Sequence, residues 1–245
     1  MNIALIFAGG SGNRMGTVLP KQFLKINGVP ILVHTMRLFE RHPEIDLIYL
    51  AVPELYISKA QELIEEYDLD KTRKVIAGGD SAQDTIYRLL KAAEEESPGD
   101  SVVLLHDGVR PFITMDLITR SIEAVKQYGS AVTCIPSYET VIVSRDGENV
   151  GDVPYRRETY TAQAPQSFRL KDILDAHEQI RRRPEGYENM VDACTILRTL
   201  DRPVHMVRGN RGNLKITTPE DVFLYRALLE YREHEETFGL GTAEI

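Results

Sequence analysis

The chain has 245 residues, of which 42% are hydrophobic and 27% are charged, and this ordinary globular composition excludes a disordered, collagen-like or coiled-coil protein. Its 37 acidic residues outnumber 29 lysines and arginines, and the resulting net charge of -8 argues against a protein that binds nucleic acid through its overall charge. This length allows one large domain with a sizeable core.

The cysteines and the first residues bear on the compartment in which the chain works. Cys134 and Cys194 are the only cysteines and show no paired spacing, which excludes a disulfide framework and a Cys-rich zinc site and favours a reducing compartment. The first residues carry no basic segment and predict a strand rather than a signal peptide. No stretch approaches the roughly 18 consecutive apolar residues of a membrane span. We therefore expect a cytoplasmic protein that does not bind membranes.

The first half of the chain alternates between short apolar runs and longer helical patterns. The apolar runs predict strands over Ile3–Phe7, Leu47–Val52, Lys74–Ile76, Val102–Leu105 and Ala131–Ile135. Apolar residues three and four positions apart predict helices over 30–42, 55–67, 82–96 and 115–128. This alternation predicts an α/β fold with a mostly parallel sheet, helices on both of its faces, and ligands at the carboxyl ends of the strands.

The alternation breaks near residue 137, where a different pattern begins. Asp146-Gly147 lies between two β-branched runs, which is a hairpin signal. We therefore expect residues 138–161 to form a β-arm that protrudes from the main sheet. Because a hairpin cannot bury both of its faces alone, this arm is expected to pack on a second subunit and to form a homodimer.

The helical and apolar patterns resume after the arm. They predict a helix after Phe168, a helix over about 188–200, and strands near 204–208 and 212–217. Pro219 starts a last helix that is expected to end near Arg232. Residues 1–232 are thus expected to form a single domain, followed by a flexible tail over 233–245.

A glycine-rich loop follows the first predicted strand: Ala8-Gly9-Gly10-Ser11-Gly12-Asn13-Arg14-Met15-Gly16. Glycines let backbone N–H groups turn towards an anion. The loop lacks the Gly-Lys-Ser/Thr of a P-loop, and Met15 replaces the third glycine of the dinucleotide fingerprint, which disfavours a nicotinamide-dependent oxidoreductase. Arg14 in the loop and Lys21 after it are two cations that favour a triphosphate ligand over a turn without a ligand.

Together with Pro20-Lys21-Gln22-Phe23-Leu24, this loop resembles the signature of sugar-phosphate nucleotidyltransferases, above all the cytidylyltransferases that act on methylerythritol phosphate or ribitol phosphate. The resemblance covers roughly residues 2–232 and continues through Gly78-Gly79-Asp80, His106-Asp107-Gly108-Val109-Arg110-Pro111-Phe112, Gln163-Ala164-Pro165-Gln166 and Asn213-Leu214-Lys215-Ile216-Thr217-Thr218-Pro219-Glu220-Asp221. It implies a Rossmann-like α/β/α nucleotidyltransferase fold, a homodimer, CTP and a polyol phosphate as substrates, and Mg²⁺ as the divalent metal.

The resemblance also implies a role for individual residues. Catalytic charge is assigned to Arg14, Lys21 and Lys215, and nucleotide binding to Ala8, Gly9, Gly10, Gly12, Gly79, Asp80 and Thr85. Acceptor binding is assigned to Asp107, Arg110, Thr140 and Arg156, with Asp107 also beside the metal. The last two of these acceptor residues, which bracket the arm, are implied to reach the neighbouring subunit's site. Arg157 is an alternative to Arg156, because two adjacent arginines leave the register open.

Several of these residues also have a simpler interpretation, in which they bind no ligand. Asp107 and Arg110 could form an ion pair that only stiffens their loop, and Lys215 could be a surface lysine. We expect His106 to be structural rather than catalytic. Arginines 181–183 at a predicted helix end are explained by the helix dipole and by solvation, and they indicate no nucleic-acid site.

Three positions depart from the family pattern. Ala82 stands where the family usually has arginine, which bears on nucleotide preference. Ala164 and Val191 stand where it usually has threonine, and the loss of two hydroxyls predicts a drier or reshaped acceptor pocket. These departures motivate an alternative hypothesis, a non-catalytic protein that binds a nucleotide. The presence of Arg14, Lys21, Asp107 and Lys215 argues against that alternative, because a sensor does not need charge that stabilises a transition state.

The interpretation that we favour is a CTP-dependent cytidylyltransferase with D-ribitol 5-phosphate as acceptor, whose product would feed teichoic acid or capsule polymers. We favour ribitol 5-phosphate because three segments resemble the ribitol phosphate enzymes more closely than the methylerythritol phosphate enzymes. These segments are Val109–Ile113, Asp152–Pro154 and 192–197. The alternative is 2-C-methyl-D-erythritol 4-phosphate, whose product would feed isoprenoid biosynthesis. Lys21 and Lys215 are both expected in a solvent-open cleft, where their removal would leave folding nearly unchanged.

Overall fold

The structure is a computed structural model that describes residues 1–9 and 19–238, with only the backbone described for residues 232–238. Gly10, Gly12 and Arg14 of the glycine loop therefore lie outside the described residues. The same holds for residues 239–245 of the expected tail. The implied roles of these three loop residues stay predictions.

A seven-stranded, mostly parallel sheet lies at the centre of the described chain. Its strands are β1 Asn2–Phe7, β4 Leu47–Val52, β5 Thr72–Ala77, β6 Val102–Asp107, β7 Ser130–Pro136, β8 Tyr160–Arg169 and β9 Met206–Arg208, in the order β5-β4-β1-β6-β8-β7-β9. Only β8 runs antiparallel to its neighbours among these strands. Two short strands, β2 Lys25–Ile26 and β3 Val29–Pro30, pair separately.

Helices cover both faces of this sheet. They are α1 Ile31–Glu40, α2 Ile57–Glu66, α3 Ala82–Glu94, α4 Met115–Tyr128, α5 Leu170–Arg181, α6 Ala193–Thr199 and α7 Pro219–Phe238. Because successive side chains of a strand point to opposite faces, Ala4 and Ile6 of β1 pack towards α1, α2 and α4, whereas Ile3 and Leu5 pack towards α3, α5 and α6. The α/β/α architecture predicted from the strand–helix alternation is confirmed.

The elements of the first half lie close to their predicted positions. The strand over 47–52 and the helix over 115–128 match, and the other strands and helices of this half differ by a few residues at their ends. Capping explains two helix starts: the Ser81 side chain accepts the Asp84 N–H at α3, and Thr114 accepts the Leu117 N–H at α4. Gly129, at φ +81°, ends α4 in the left-handed conformation that glycine adopts without strain.

Several predictions for the second half are wrong. The helix predicted over about 188–200 is only Ala193–Thr199, because Asp192 caps it by accepting the Thr195 N–H. The strand predicted near 212–217 does not form, since this segment begins in turn hydrogen bonds. The last helix continues to Phe238 instead of ending near Arg232, so the segment predicted as a tail begins inside a helix.

Strand β8 was not predicted, although it lies between β6 and β7. Its sequence contains Pro165, which donates no backbone hydrogen bond and so argues against a central strand. The sheet accommodates this residue where the register between β7 and β8 shifts, and Thr133 Oγ1 donates to the Pro165 carbonyl oxygen at 2.8 Å. A side chain thus supplies a hydrogen bond at the irregular position.

The arm is a loop with one β-bridge rather than a regular two-stranded ribbon. Val143 and Asp152 form the antiparallel bridge around the predicted turn. Asp146 accepts hydrogen bonds from the Asn149 side-chain amide and from the Asn149 and Glu148 N–H groups, and these bonds lower the pKa of the Asp146 carboxyl. The end of the predicted arm belongs instead to a turn at Arg156–Glu158 and to the start of β8.

A helix that crosses a membrane must be both long and apolar. Within residues 1–9 and 19–238, no helix is both long and apolar enough to span a bilayer.

Candidate functional site

Two adjoining cavities lie at the carboxyl ends of β1 and β6. The loop-side cavity lies between Gly9, Lys21, Gly79, Asp80 and Thr85, and has a volume of about 440 Å³. The β8-side cavity lies between Gln83, Arg110, Gln163, Gln166 and Asp192, and has a volume of about 190 Å³. Both are lined by Phe7, Ala82, Asp107 and Lys215. The ends of parallel strands are where ligands of α/β proteins bind.

At the shared wall, one buried carboxylate pairs with two cations. Asp107 ends β6, and its Oδ1 lies 2.5 Å from Lys215 Nζ, while its Oδ2 accepts from Arg110 Nε at 2.8 Å. Arg110 also donates to the Asn213 carbonyl oxygen at 2.9 Å. Burial alone would raise the pKa of Asp107, but the charges of Lys215 and Arg110 outweigh it and lower that pKa. The carboxylate is therefore ionised and holds both cations in place.

Lys215 owes its position to its buried neighbour. Ile216 packs among Val109, Phe112 and Tyr225, and its N–H donates to the Val109 carbonyl oxygen at 2.9 Å. This anchor directs Lys215 to the shared wall, where its side chain remains 42% exposed. Lys215 is therefore partly exposed, as the alternative of a surface lysine expected, but it is also paired with Asp107, and it lies in an open cleft as predicted.

Lys21 is buried, which corrects the expectation that it lies in a solvent-open cleft. It is only 9% exposed, and its Nζ donates to the Ile216 carbonyl oxygen at 2.8 Å. The adjacent Gln22 donates to the Ala8 carbonyl oxygen at 2.7 Å. The Pro-Lys-Gln motif therefore links the first strand to the segment that carries Lys215, and it brings a second ammonium group to the loop-side cavity.

The Gly78-Gly79 turn presents backbone groups at the start of α3. Thr85 Oγ1 accepts the Gly79 N–H and donates to the Ser81 carbonyl oxygen, both at 2.9 Å. A side chain at Gly79 would collide with the Asp84 carboxylate, so the turn needs glycine there. The described residues predicted to bind a nucleotide, namely Ala8, Gly9, Gly79, Asp80 and Thr85, all line the loop-side cavity.

His106 lies next to Asp107 but lines neither cavity. It is fully buried, its Nε2 lies 3.1 Å from the Arg110 carbonyl oxygen, and its ring packs edge-on against Phe39. Desolvation by burial lowers the pKa of His106 to about 4, so the ring is neutral at physiological pH. These contacts support the structural role predicted for it.

Buried neutral histidines make stability depend on pH. In the unfolded chain, histidines become protonated below their ordinary pKa of 6.5. In the folded protein, burial lowers the pKa of His106 to about 4 and that of His177 to about 3, so both stay neutral to lower pH. The free energy of unfolding should therefore fall as pH drops below 6.5, by up to about 1.4 kcal/mol per pH unit for each histidine. Urea unfolding at pH 7 and pH 5 measures this. His177→Gln should show a shallower pH dependence, and an equal one would contradict the assignment.

The arm residues are not brought to the site of their own chain. Thr140 and Arg156 are exposed, as is Arg157, and none of them is among the described residues that line either cavity. The two adjoining cavities are therefore lined by Lys21, Asp107, Arg110 and Lys215, whereas the predicted arm residues lie outside them. The choice between Arg156 and Arg157 stays open.

The β8-side cavity contains polar residues to which the sequence analysis gave no role. Gln166 donates to Asp192 Oδ2 at 2.8 Å and accepts the Cys194 N–H at 3.0 Å, which fixes the start of α6 to β8. Gln83 and Gln163 line the same cavity. The Gln-Ala-Pro-Gln motif signalled two of these amides, but Gln83 lies in an ordinary helical pattern and carried no signal.

The departures from the family pattern all line the β8-side cavity. Ala82, Ala164 and Val191 contribute small or apolar groups to its wall, next to Ile86 and Leu105. Ala82 also lines the loop-side cavity, so its small side chain lies where the two cavities adjoin. The drier or reshaped acceptor pocket expected from the two missing hydroxyls stays a prediction.

The expected Mg²⁺ was tested against the side chains present. Among the described residues, no group of three or more His, Cys, Asp or Glu side chains could hold a metal ion. Of the described residues that line both cavities, Asp107 is the one carboxylate, and each of its oxygens keeps a second lone pair beyond its ion pair. This fits a magnesium ion that takes most of its ligands from phosphates and water.

The chain was compared with known families and proteins. It matches the family described as "IspD: 2-C-methyl-D-erythritol 4-phosphate cytidylyltransferase" over residues 2–231. A ribitol-5-phosphate cytidylyltransferase from Streptococcus agalactiae is 39% identical over 241 residues, which are 98% of this chain and 100% of that protein. One from Vibrio parahaemolyticus is 41% identical over 240 residues, with the same coverage of both chains.

Solved structures show the same relationship. A 4-diphosphocytidyl-2C-methyl-D-erythritol synthase from Anaerococcus prevotii superimposes with a TM-score of 0.81 at 30% identity, covering 94% of this chain and 96% of that one. A 2-C-methyl-D-erythritol 4-phosphate cytidylyltransferase from Thermus thermophilus gives 0.72 at 28% identity, covering 94% and 100%. The fold is thus that of these nucleotidyltransferases, and the chain belongs to the IspD family and is a cytidylyltransferase.

Proposed function

We propose that this cytidylyltransferase joins CTP to D-ribitol 5-phosphate, forming CDP-ribitol and releasing pyrophosphate. The observation that carries the proposal is the pair of cavities with one shared wall. CTP fits the larger, loop-side cavity, where glycine backbone groups, the start of α3 and Lys21 suit a triphosphate. The polyol phosphate fits the β8-side cavity, where Arg110 suits its phosphate.

The reaction needs two anions to approach each other. A phosphate oxygen of the acceptor attacks the α-phosphorus of CTP in line, a new P–O bond forms, and the bond to the pyrophosphate oxygen breaks. Lys215 and Lys21 neutralise charge on the α-phosphate and the leaving pyrophosphate, and Arg14 would do so from the glycine loop. Asp107 holds Lys215 and Arg110 in place, so the cations need no rearrangement during the reaction.

Mg²⁺ is proposed to accompany the triphosphate, with Asp107 as its protein ligand and the other ligands from phosphate and water. When bound, it would supply further positive charge to the phosphates. The protein's own part is to keep Asp107 ionised, which the neighbouring Lys215 and Arg110 achieve.

A homodimer is proposed to complete the acceptor site. Thr140 and Arg156 would enter the β8-side cavity of the partner subunit from the arm. The arm carries exposed apolar side chains, including Ile142 at 56%, Val150 at 59% and Tyr155 at 62% exposure. Such a series on a segment with little internal pairing is typical of a protein interface, which supports this arrangement.

Two acceptors compete for the assignment. The ribitol phosphate enzymes from Streptococcus and Vibrio share 39% and 41% identity with this chain over nearly its full length, which favours ribitol 5-phosphate. The second candidate is 2-C-methyl-D-erythritol 4-phosphate, which the matching family and the solved structures name. The first product would supply a polyol-phosphate polymer such as teichoic acid or capsule, and the second would supply isoprenoid biosynthesis.

A panel of substrates tests the proposal. Pyrophosphate release should be measured with CTP, UTP, ATP and GTP, each combined with ribitol 5-phosphate, 2-C-methylerythritol 4-phosphate and other polyol phosphates. We expect the highest kcat/KM with CTP and ribitol 5-phosphate. Preference for another acceptor would overturn the assigned substrate, and turnover with another nucleotide in place of CTP would overturn the base assignment.

Thr85→Val is expected to raise the KM for CTP roughly tenfold and to change kcat little. The substitution preserves the shape of the side chain but removes the hydroxyl that holds the Gly79 N–H and the Ser81 carbonyl in place. Thr199→Val, on the exposed side of α6, is the matched control and should leave both constants unchanged. Equal KM values for the two variants would exclude Thr85 from the nucleotide site.

A further inference from the structure

Helix α3 contributes two neighbouring rows of side chains to the two cavities. Thr85, together with Ser81 and Ala82, lines the loop-side cavity. Gln83 and Ile86, one turn apart on the helix, line the β8-side cavity. Gln83 is therefore the polar side chain that α3 presents to the proposed acceptor cavity.

The amide oxygen of Gln83 has no hydrogen-bond partner among the described residues, although the residue is only 3% exposed. A buried amide oxygen without a partner is unfavourable, because water has been removed from it and nothing has replaced that water. Few polar groups in folded proteins remain in this state, and one that lines a cavity indicates a ligand that donates a hydrogen bond.

The other two glutamines of the cavity differ from Gln83. The amide of Gln166 is engaged at both ends, by Asp192 and by the Cys194 N–H. Gln163 donates to the Asn210 carbonyl oxygen, and its own oxygen lies against Gly209, at the place where a side chain would project. The Gln163 oxygen also lacks a hydrogen-bond partner among the described residues, but its amide is held in place through the nitrogen by Asn210. Gln83 differs from both in that no hydrogen bond to the described residues fixes its amide.

The chemistry of the cavity indicates which ligand group meets this amide. The cations Arg110 and Lys215 suit the acceptor's phosphate, and they leave the uncharged part of the acceptor to the amides and apolar side chains. An uncharged polyol offers hydroxyl groups, each of which donates one hydrogen bond. Ala82 and Val191, which line the same cavity, offer no polar side-chain atom to such a hydroxyl.

We propose that Gln83 determines acceptor specificity by accepting a hydrogen bond from one hydroxyl of the polyol chain. This inference rests on the proposed function, since it assigns the β8-side cavity to the acceptor. A site built to bond a hydroxyl discriminates strongly against an analogue that lacks it, because its own polar group is then left unpaired.

The test combines changes in the enzyme with changes in the substrate. Wild type and Gln83→Met, which has similar volume and no amide, are assayed with the preferred polyol phosphate and with its single-deoxy analogues. Removal of the contacted hydroxyl should lower kcat/KM of wild type at least roughly tenfold. With the parent acceptor, kcat/KM of Gln83→Met should be reduced by a similar factor relative to wild type. Replacing the parent acceptor by that analogue should lower kcat/KM of the variant by less than about a further threefold.

Controls separate contact with the acceptor from a structural effect. Gln127→Met makes the same change at an exposed position of α4 and should retain wild-type kinetics with every acceptor. The KM for CTP should remain unchanged in Gln83→Met, because Gln83 does not line the loop-side cavity. The proposal would be overturned if Gln83→Met lowered kcat/KM, relative to wild type, by the same factor with the parent acceptor and with every analogue.

The wild-type measurements can refute the proposal even if Gln83→Met does not fold. If no single-deoxy analogue lost more than about threefold in kcat/KM, the proposal would be wrong without any variant. Its failure is also distinct from failure of the proposed function. A wild-type preference for 2-C-methylerythritol 4-phosphate would reject ribitol phosphate as the acceptor, and the role of Gln83 would then be judged on the deoxy analogues of the acceptor actually used.

Discussion

Lys215→Ala is expected to lower kcat by roughly two orders of magnitude or more, as removal of other preorganised electrostatic contacts does. Its ammonium group lies at the wall shared by both cavities, 2.5 Å from Asp107. Folding should be nearly unaffected, because Asp107 keeps its ion pair with Arg110 and the side chain of Lys215 is 42% exposed. Turnover is measured by pyrophosphate release, and thermal unfolding serves as the folding check.

Two other lysine variants serve as a control and a comparison for Lys215→Ala. Lys126→Ala removes an exposed lysine whose pair with Glu44 spans 3.6 Å, and it should leave kcat unchanged. Lys21→Ala should also lower kcat, but it should lower the melting temperature as well, because it removes a buried hydrogen bond to the Ile216 carbonyl oxygen. Near-wild-type turnover of Lys215→Ala would remove Lys215 from the catalytic site.

Hybrid dimers are expected to regain activity that both parent variants lack. Arg156→Ala should weaken acceptor binding and leave CTP binding almost intact, whereas Lys215→Ala should abolish most turnover. If the arm serves the partner's site, a hybrid of the two variants contains one site with both residues intact and one site with both changed. Each hybrid dimer should therefore reach about half of wild-type activity.

The experiment requires separation of the hybrids. Co-expression of the two variants with different affinity tags allows purification of dimers that contain one chain of each. Arg145→Ala, another exposed arginine of the arm, is the matched control for Arg156 and should behave as wild type on its own. Purified hybrids without activity would contradict the shared site and would leave Arg156 either with its own chain's site or in solvent.

Much of the fold could be predicted because its first half follows local rules. Buried parallel strands such as Leu47–Val52 are continuous apolar runs, and α3 and α4 begin at capping residues. Strand β8 could not be predicted in this way, because Pro165 breaks the pattern of a central strand and only the pairing with two neighbours makes the strand. The turns before Lys215 likewise depend on long-range packing of Ile216 against α7.

The candidate site was predicted mainly from its motifs, and its geometry was not. The loop-side residues Gly79 and Thr85 meet as the motifs implied. The burial of Lys21 could not be predicted, since it depends on the Ile216 carbonyl oxygen 195 positions along the chain. Gln83 was missed for the same reason: only the assembled cavity shows that its amide oxygen lacks a partner among the described residues.

The most direct test of the assigned activity is a competition between the two acceptors. Wild-type enzyme is given CTP with equimolar ribitol 5-phosphate and 2-C-methylerythritol 4-phosphate, and the two CDP-alditols are quantified by mass spectrometry at low conversion. Their ratio equals the ratio of the two kcat/KM values. CDP-ribitol should predominate by roughly tenfold or more, equivalent to at least about 1.4 kcal/mol of discrimination. Predominance of the methylerythritol product would contradict the assigned acceptor.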